Sequence, residues 1–287
     1  MLDRQNLWDD NITWSIKMDI NAVRVGEKWL PFRQGGARLF FSVHSVFNRV
    51  VNVSTDRELL SVTASNVGGS SSFLSLAGSK VDFGVAAGER CILCEGRMSI
   101  ANHTINFMET PPWKGPITKN YRHKVRKENI SAFKAVLDRK AAPGSAWRIV
   151  NGASESRFGG LGAIRRLRED PSLAEKLIGL GLGLTPAGDD MLVGYLAMAN
   201  HTYEDTGFTD ILHGVVSDSL GKTVDISAQI LKNALDCDYH GYVQGCIRDL
   251  CEGGQEDIYI STASLLNIGA TSGSDIACGM YFGMFAA

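Results

Sequence analysis

The chain has 287 residues, of which 44% are hydrophobic and 21% charged, with 29 basic and 31 acidic residues and a formal net charge of −2. That is ordinary for a globular protein with one large core or two modest ones, and it excludes nucleic acid as an expected partner. The basic tract at residues 121–127 reads as a solvated helix start. Residues 1–10 turn acidic early, and no stretch of ~20 apolar residues occurs anywhere, so neither a signal peptide nor a membrane span is expected. The expected compartment is the cytoplasm.

Up to about residue 125 the composition favours strands. Leu39, Phe41 and Val43 alternate with Phe40, Ser42 and His44. Val51 and Val53 lead through a polar turn at residues 54–57 to Leu60 and Val62, which predicts an antiparallel hairpin. Phe73–Leu76, residues 80–85 and residues 91–100 are further strands in this expectation. Together they suggest a small antiparallel barrel or sandwich. Cys91 and Cys94 have the spacing of a metal knuckle, but no second pair completes a zinc site, so they read as small buried thiols.

Three prolines and a glycine between Met108 and Pro116 break any regular element. A boundary near residue 120 separates a β-rich domain, 1–120, from a helical domain, 121–287. In the second, Ile130, Phe133, Val136 and Leu137 mark one amphipathic face. Helices are expected over residues 161–167, 172–180, 189–200, 209–220, 223–235, 239–250, 258–266 and 275–285. The expected fold class is α+β.

The densest pattern is Gly179, Gly181 and Gly183 followed by Thr185-Pro186-Ala187-Gly188-Asp189-Asp190 and then Gly194. Thr185 before Pro186 reads as a hydroxyl N-cap with proline at the first helical position. Asp189 and Asp190 then fall in the first turn, where the helix dipole favours negative charge. A shorter copy runs Thr271-Ser272-Gly273-Ser274-Asp275 to Gly279. In both, an Asp and the glycine four residues on share one helical face. Two such helices packed together would bring their starts near each other, with free backbone N–H groups, hydroxyls and two or three carboxylates around a recess.

Free N–H groups attract anions, whereas carboxylates repel them unless a cation or amide intervenes. Two ligands therefore fit: a divalent metal such as Mg²⁺ with a phosphorylated molecule, or a small molecule carrying both an acid and amide N–H groups. The alternatives are a structural or assembly subunit, whose two well-capped helices only seal a glycine-rich contact, and a stand-alone metal-dependent enzyme acting on a phosphorylated metabolite. Thr223 and Ser227, four residues apart, are a third candidate element, although such hydroxyls often bond back to the preceding turn. Asn66–Gly69 is a fourth, equally explained as a hairpin turn. There is no Gly-x-Ser-x-Gly elbow, Walker loop, His-Glu-x-x-His or dinucleotide fingerprint, and the six histidines are scattered.

At Gly181–Gly194 and Ser264–Gly279 the chain resembles the bacterial family that includes the smallest subunit of the oxamate carbamoyltransferase of allantoin catabolism. Weaker likenesses run through Val46–Val53, Glu58–Thr63, Gly68-Gly69 and Thr223–Ser227, and Ala187 stands where serine is common. The resemblance implies a transferase subunit in a hetero-oligomer. The implied partners are an FdrA-like larger subunit, of the succinyl-CoA synthetase type, and a second subunit of another uncharacterised family. The implied chemistry moves a carbamoyl group between carbamoyl phosphate and an oxamate-like nitrogen. The expected ligand-binding residues are Gly183, Thr185, Gly188, Asp189, Asp190, Thr223, Ser227, Thr271, Ser272, Gly273 and Asp275. No membrane contact is expected.

Overall fold

The structure is a computed structural model that describes residues 18–34, 36–55, 58–118, 124–152, 159–202 and 206–284. The amino-terminal stretch, the second half of the 54–57 turn and the first three residues of the basic tract lie outside these. The chain divides into two compact units, Met1–Ser65 with Ser72–Pro112, and Asn66–Ser71 with Trp113–Ala287.

In the first unit, eight strands close a barrel: β1 (Met18–Val25), β2 (Leu39–Val46), β3 (Val50–Ser54), β4 (Leu59–Ala64), β5 (Phe73–Leu76), β6 (Arg90–Cys94), β7 (Arg97–Ile100) and β8 (His103–Asn106). The order around it is β1-β5-β4-β3-β2-β6-β7-β8. The β3–β4 hairpin sets Val51 opposite Val62 and Val53 opposite Leu60, and all four side chains are buried. This is the two-residue alternation seen in the sequence. Trp29, on a 3-10 turn at Glu27–Arg33, lies fully buried against Phe107 and donates its ring N–H to the Ser72 carbonyl at 2.8 Å.

Three expectations change. The barrel is mixed rather than antiparallel, because β1 pairs parallel with β8 and β4 parallel with β5. Residues 91–100 form two strands, turned by Glu95 and Gly96, both at positive φ. Residues 80–85 form no strand: Val81 and Phe83 are buried, but Asp82 caps the Gly84 N–H with its side chain and turns the chain instead.

The second unit is helical: α1 (Lys127–Lys140), α2 (Ala146–Asn151), α3 (Ala174–Leu177), α4 (Ala187–Thr202), α5 (Thr206–Ser219), α6 (Asp225–Leu235), α7 (Gly241–Glu252), α8 (Gln255–Leu266) and α9 (Ser272–Met284). The expected helix at 161–167 is a 3-10 run, Gly159–Arg166. The one at 172–180 shrinks to a 3-10 turn and α3, because the chain turns left-handed at Gly179. α4 is buried from Gly188 through Thr202, the signature of a helix surrounded by others. Its core partners include Trp147, Leu212, Leu231, Ile247 and Met280, and each such buried side chain contributes about 1.5–3 kcal/mol. No helix among the described residues is long and apolar enough to cross a membrane.

Asn66–Gly69 is no hairpin turn, because the strands it joins are parallel. It is bound to the start of α7. His240 donates from Nε2 to the Val67 carbonyl at 2.8 Å, and the Gly241 N–H donates to the Gly69 carbonyl at 2.7 Å. The His240 Nδ1 accepts the Tyr242 N–H, so this half-buried ring is neutral, and desolvation pushes its pKa down to about 4.

Candidate functional site

α4 begins at Ala187, one residue later than the sequence suggested. Pro186 stands just outside and its carbonyl accepts the Asp189 and Asp190 N–H groups at 3.0 and 3.1 Å. The Gly188 N–H is taken by the Leu180 carbonyl at 2.8 Å. α9 is built alike: Thr271 accepts from Ser274 and Asp275 at 2.8 and 2.9 Å, and the Gly273 N–H reaches Ile268 at 2.9 Å. A Cβ on Gly188 would sit 2.0 Å from the Leu177 carbonyl, and one on Gly273 2.0 Å from that of Leu265. These glycines admit the preceding turn, whose carbonyls then consume the N–H groups. The expectation of free N–H groups is corrected at both glycines.

The two helices then meet reciprocally. A Cβ on Gly194 would lie 1.9 Å from the Ile276 carbonyl, and one on Gly279 1.8 Å from that of Met191. Gly188 corresponds to Gly273, Asp190 to Asp275, Met191 to Ile276 and Gly194 to Gly279, so the crossing has local two-fold character inside one chain. It brings the two helix starts together, with Thr185 Oγ1 and Ser272 Oγ 2.9 Å apart. Thr185 therefore bridges to α9.

Three carboxyls lie beneath, and they differ. Asp189 is fully buried and saturated: Oδ1 accepts the Gly179 N–H at 2.8 Å, and Oδ2 accepts Ser227 Oγ at 2.7 Å and the Thr223 hydroxyl. Thr223 and Ser227 thus tie α6 to α4 through Asp189. Asp275 places Oδ1 against the Ala146 N–H at 2.5 Å and takes a hydrogen bond from Thr271. Burial nonetheless pushes its pKa up to about 6. Asp190 is 3% exposed, and its Oδ2 has no hydrogen-bond partner among the described residues. Burial drives its pKa well up, the negative charges of Asp275 and Asp189 add to this, and hydrogen bonds from Ser272 and Thr185 oppose it. Among the described residues, no cation is among the groups acting on it.

Chemically, the crossing offers two hydroxyls and two titratable carboxyls of unlike environment, an arrangement suited to hydrogen-bonding a small polar molecule. It does not fit a dedicated divalent-metal site. Asp189 is spent, Asp275 gives an oxygen to Ala146, and no group of three His, Cys, Asp or Glu is placed to hold an ion among the described residues. Gly183 stands apart, exposed, with open space where a Cβ would go. Asn66–Gly69 sits at α7. Cys91 is buried, its thiol pushed up to about 12 by that burial, and Cys94 is half-buried. The residue that sequence reasoning missed is Ala146, whose N–H opens α2. The signal was Pro143-Gly144-Ser145, a turn followed by a helix start.

Residues 177–284 match the family model of the oxamate carbamoyltransferase subunit AllH. The match agrees with the resemblance drawn from the two motifs. The AllH interval runs from the last residue of α3 to the last of α9 and holds every side chain of the crossing, whereas Ala142 and Ala146 precede it. No curated protein and no solved structure matches the chain.

Proposed function

We propose that this chain is the subunit of a carbamoyltransferase complex that helps to hold the carbamoyl acceptor or product at the α4–α9 crossing. The observation that carries this is the junction of Thr185 and Ser272 over Asp190 and Asp275, inside the interval that matches AllH. Its contribution is positioning and hydrogen bonding within a water-excluded site, with no side-chain nucleophile required. The donor would be carbamoyl phosphate and the acceptor an oxamate-like nitrogen. The remaining groups would come from partner subunits, one of them FdrA-like.

A second reading, a purely structural role in assembly, is favoured for one part of the motif by the saturation of Asp189. The test is to recover the tagged chain from its native cells, identify what accompanies it, and assay carbamoyl transfer to oxamate. We expect larger partner subunits and turnover by the complex but not by the isolated chain. A chain that is active alone, or a complex without this transfer, overturns the proposal.

A further inference from the structure

The local two-fold of α4 and α9 is broken at one atom. On the α9 side, Asp275 Oδ1 is met by the Ala146 N–H at 2.5 Å. Beside it, Ser274 Oγ accepts the Ala142 N–H at 3.0 Å. On the α4 side, Asp189, the counterpart of Ser274, accepts the Gly179 N–H at 2.8 Å. Three of the four equivalent positions thus end on a backbone N–H. The fourth, Asp190 Oδ2, has none among the described residues and is sealed from solvent. A buried carboxyl oxygen without a partner carries a desolvation cost that native structures seldom leave uncompensated.

We propose that Asp190 Oδ2 is the acceptor for the amino hydrogens of a small amide, so that the ligand supplies at α4 the N–H that Ala146 supplies at α9. This rests on the functional proposal above and extends it to one atom and one chemical group. Thr185 and Ser272, which bond to the same carboxyl and to each other, would turn their hydroxyl hydrogens from these partners to the carbonyl or acid oxygens of that amide. Entry requires the segment ending at Thr185 to move aside. Its leucines, Leu182 at 70% and Leu184 at 48% exposure, face outward, so displacing it pulls neither from the core. A metal cation would also satisfy a carboxylate, but the single open oxygen offers it one ligand where several are needed.

The test compares oxamate with pyruvate, which has the same shape with methyl in place of the amino group, by calorimetric titration of the complex recovered with this chain. A buried group left unpaired by the wrong ligand discriminates strongly. Oxamate is expected to bind the wild type at least tenfold more tightly than pyruvate. Asp190→Val should bind the two alike. Asp190→Asn, which keeps a carbonyl acceptor, should retain part of the preference. Equal binding of both by the wild type, a preference that survives Asp190→Val and Asp190→Asn unchanged, or tight binding of MgCl₂ alone that Asp190→Asn abolishes would each overturn the inference. A complex that transfers carbamoyl groups yet shows no oxamate preference sinks this inference alone. One that neither transfers nor binds sinks the functional proposal with it.

Discussion

Two titratable side chains give opposite pH signatures. Asp275 stands at about 6 in the folded protein against 3.8 free, so between those values the folded state holds more protons than the unfolded one. Its contribution is full below about 3.8 and is lost as pH rises through about 6. His240 moves from 6.5 down to about 4, so its contribution is full above 6.5 and is lost as pH falls through about 4. In urea titrations, the stability of wild type minus Asp275→Asn should fall by roughly 2 kcal/mol from pH 4 to pH 7, at 1.36 kcal/mol per pH unit between 3.8 and about 6. Wild type minus His240→Gln should rise over the same range by a similar amount. Slopes of the same sign would contradict the environments assigned to these groups. Adjacent aspartates should differ as sharply. Asp189→Asn leaves an N–H₂ facing donors and is expected to cost roughly 1–3 kcal/mol at pH 7, read as a fall in the urea midpoint, whereas Asp190→Asn removes no satisfied bond of Oδ2.

Among the helices, glycines are not equivalent, and the difference is set by what faces them. At Gly194 and Gly279 an added methyl would strike a backbone carbonyl of the partner helix, at 1.9 and 1.8 Å, and neither carbonyl can rotate away. Gly194→Ala and Gly279→Ala are therefore expected to cost about 3 kcal/mol or more each, with non-additive effects in the double variant because they share one crossing. Gly245, inside α7, has nothing within 4 Å of its would-be Cβ. Gly245→Ala should raise stability by roughly 0.5–1 kcal/mol through the unfolded chain. Denaturant midpoints of the three variants check this, and a tolerant Gly194→Ala would refute backbone contact between α4 and α9.

For the molecule as a whole, the near-balance of charge bears on assembly. A formal charge of −2 over 287 residues gives little long-range attraction or repulsion toward any partner. The complex is therefore expected to survive about 0.5 M salt during affinity recovery, where the Debye length has shrunk to roughly 4 Å. Dissociation between low and high salt would place the partner contacts on charged side chains instead.

Legibility in the sequence followed the range of the interactions. Val51, Val53, Leu60 and Val62 declared their hairpin because alternation and a polar turn are local. The starts of α4 and α9 were legible to within three residues because prolines, hydroxyls and acids punctuate helices locally. β1 escaped because its polar residues, Asp19, Asn21 and Arg24, hide a strand that exists only by pairing with β5 and with β8. The same limit applied to the three carboxyls, which are indistinguishable as letters.

The chain by itself determined an α+β protein with strands first and helices after, and two Gly-Asp-Gly helix starts of the same design, because each depends on neighbours a few positions away. Only the folded arrangement decided that Asp189 is saturated by Gly179, Thr223 and Ser227, that Asp275 leans on Ala146, and that Asp190 keeps one oxygen open. Which donors reach a buried carboxyl is settled by segments distant along the chain, and spacing along the sequence carries no record of that.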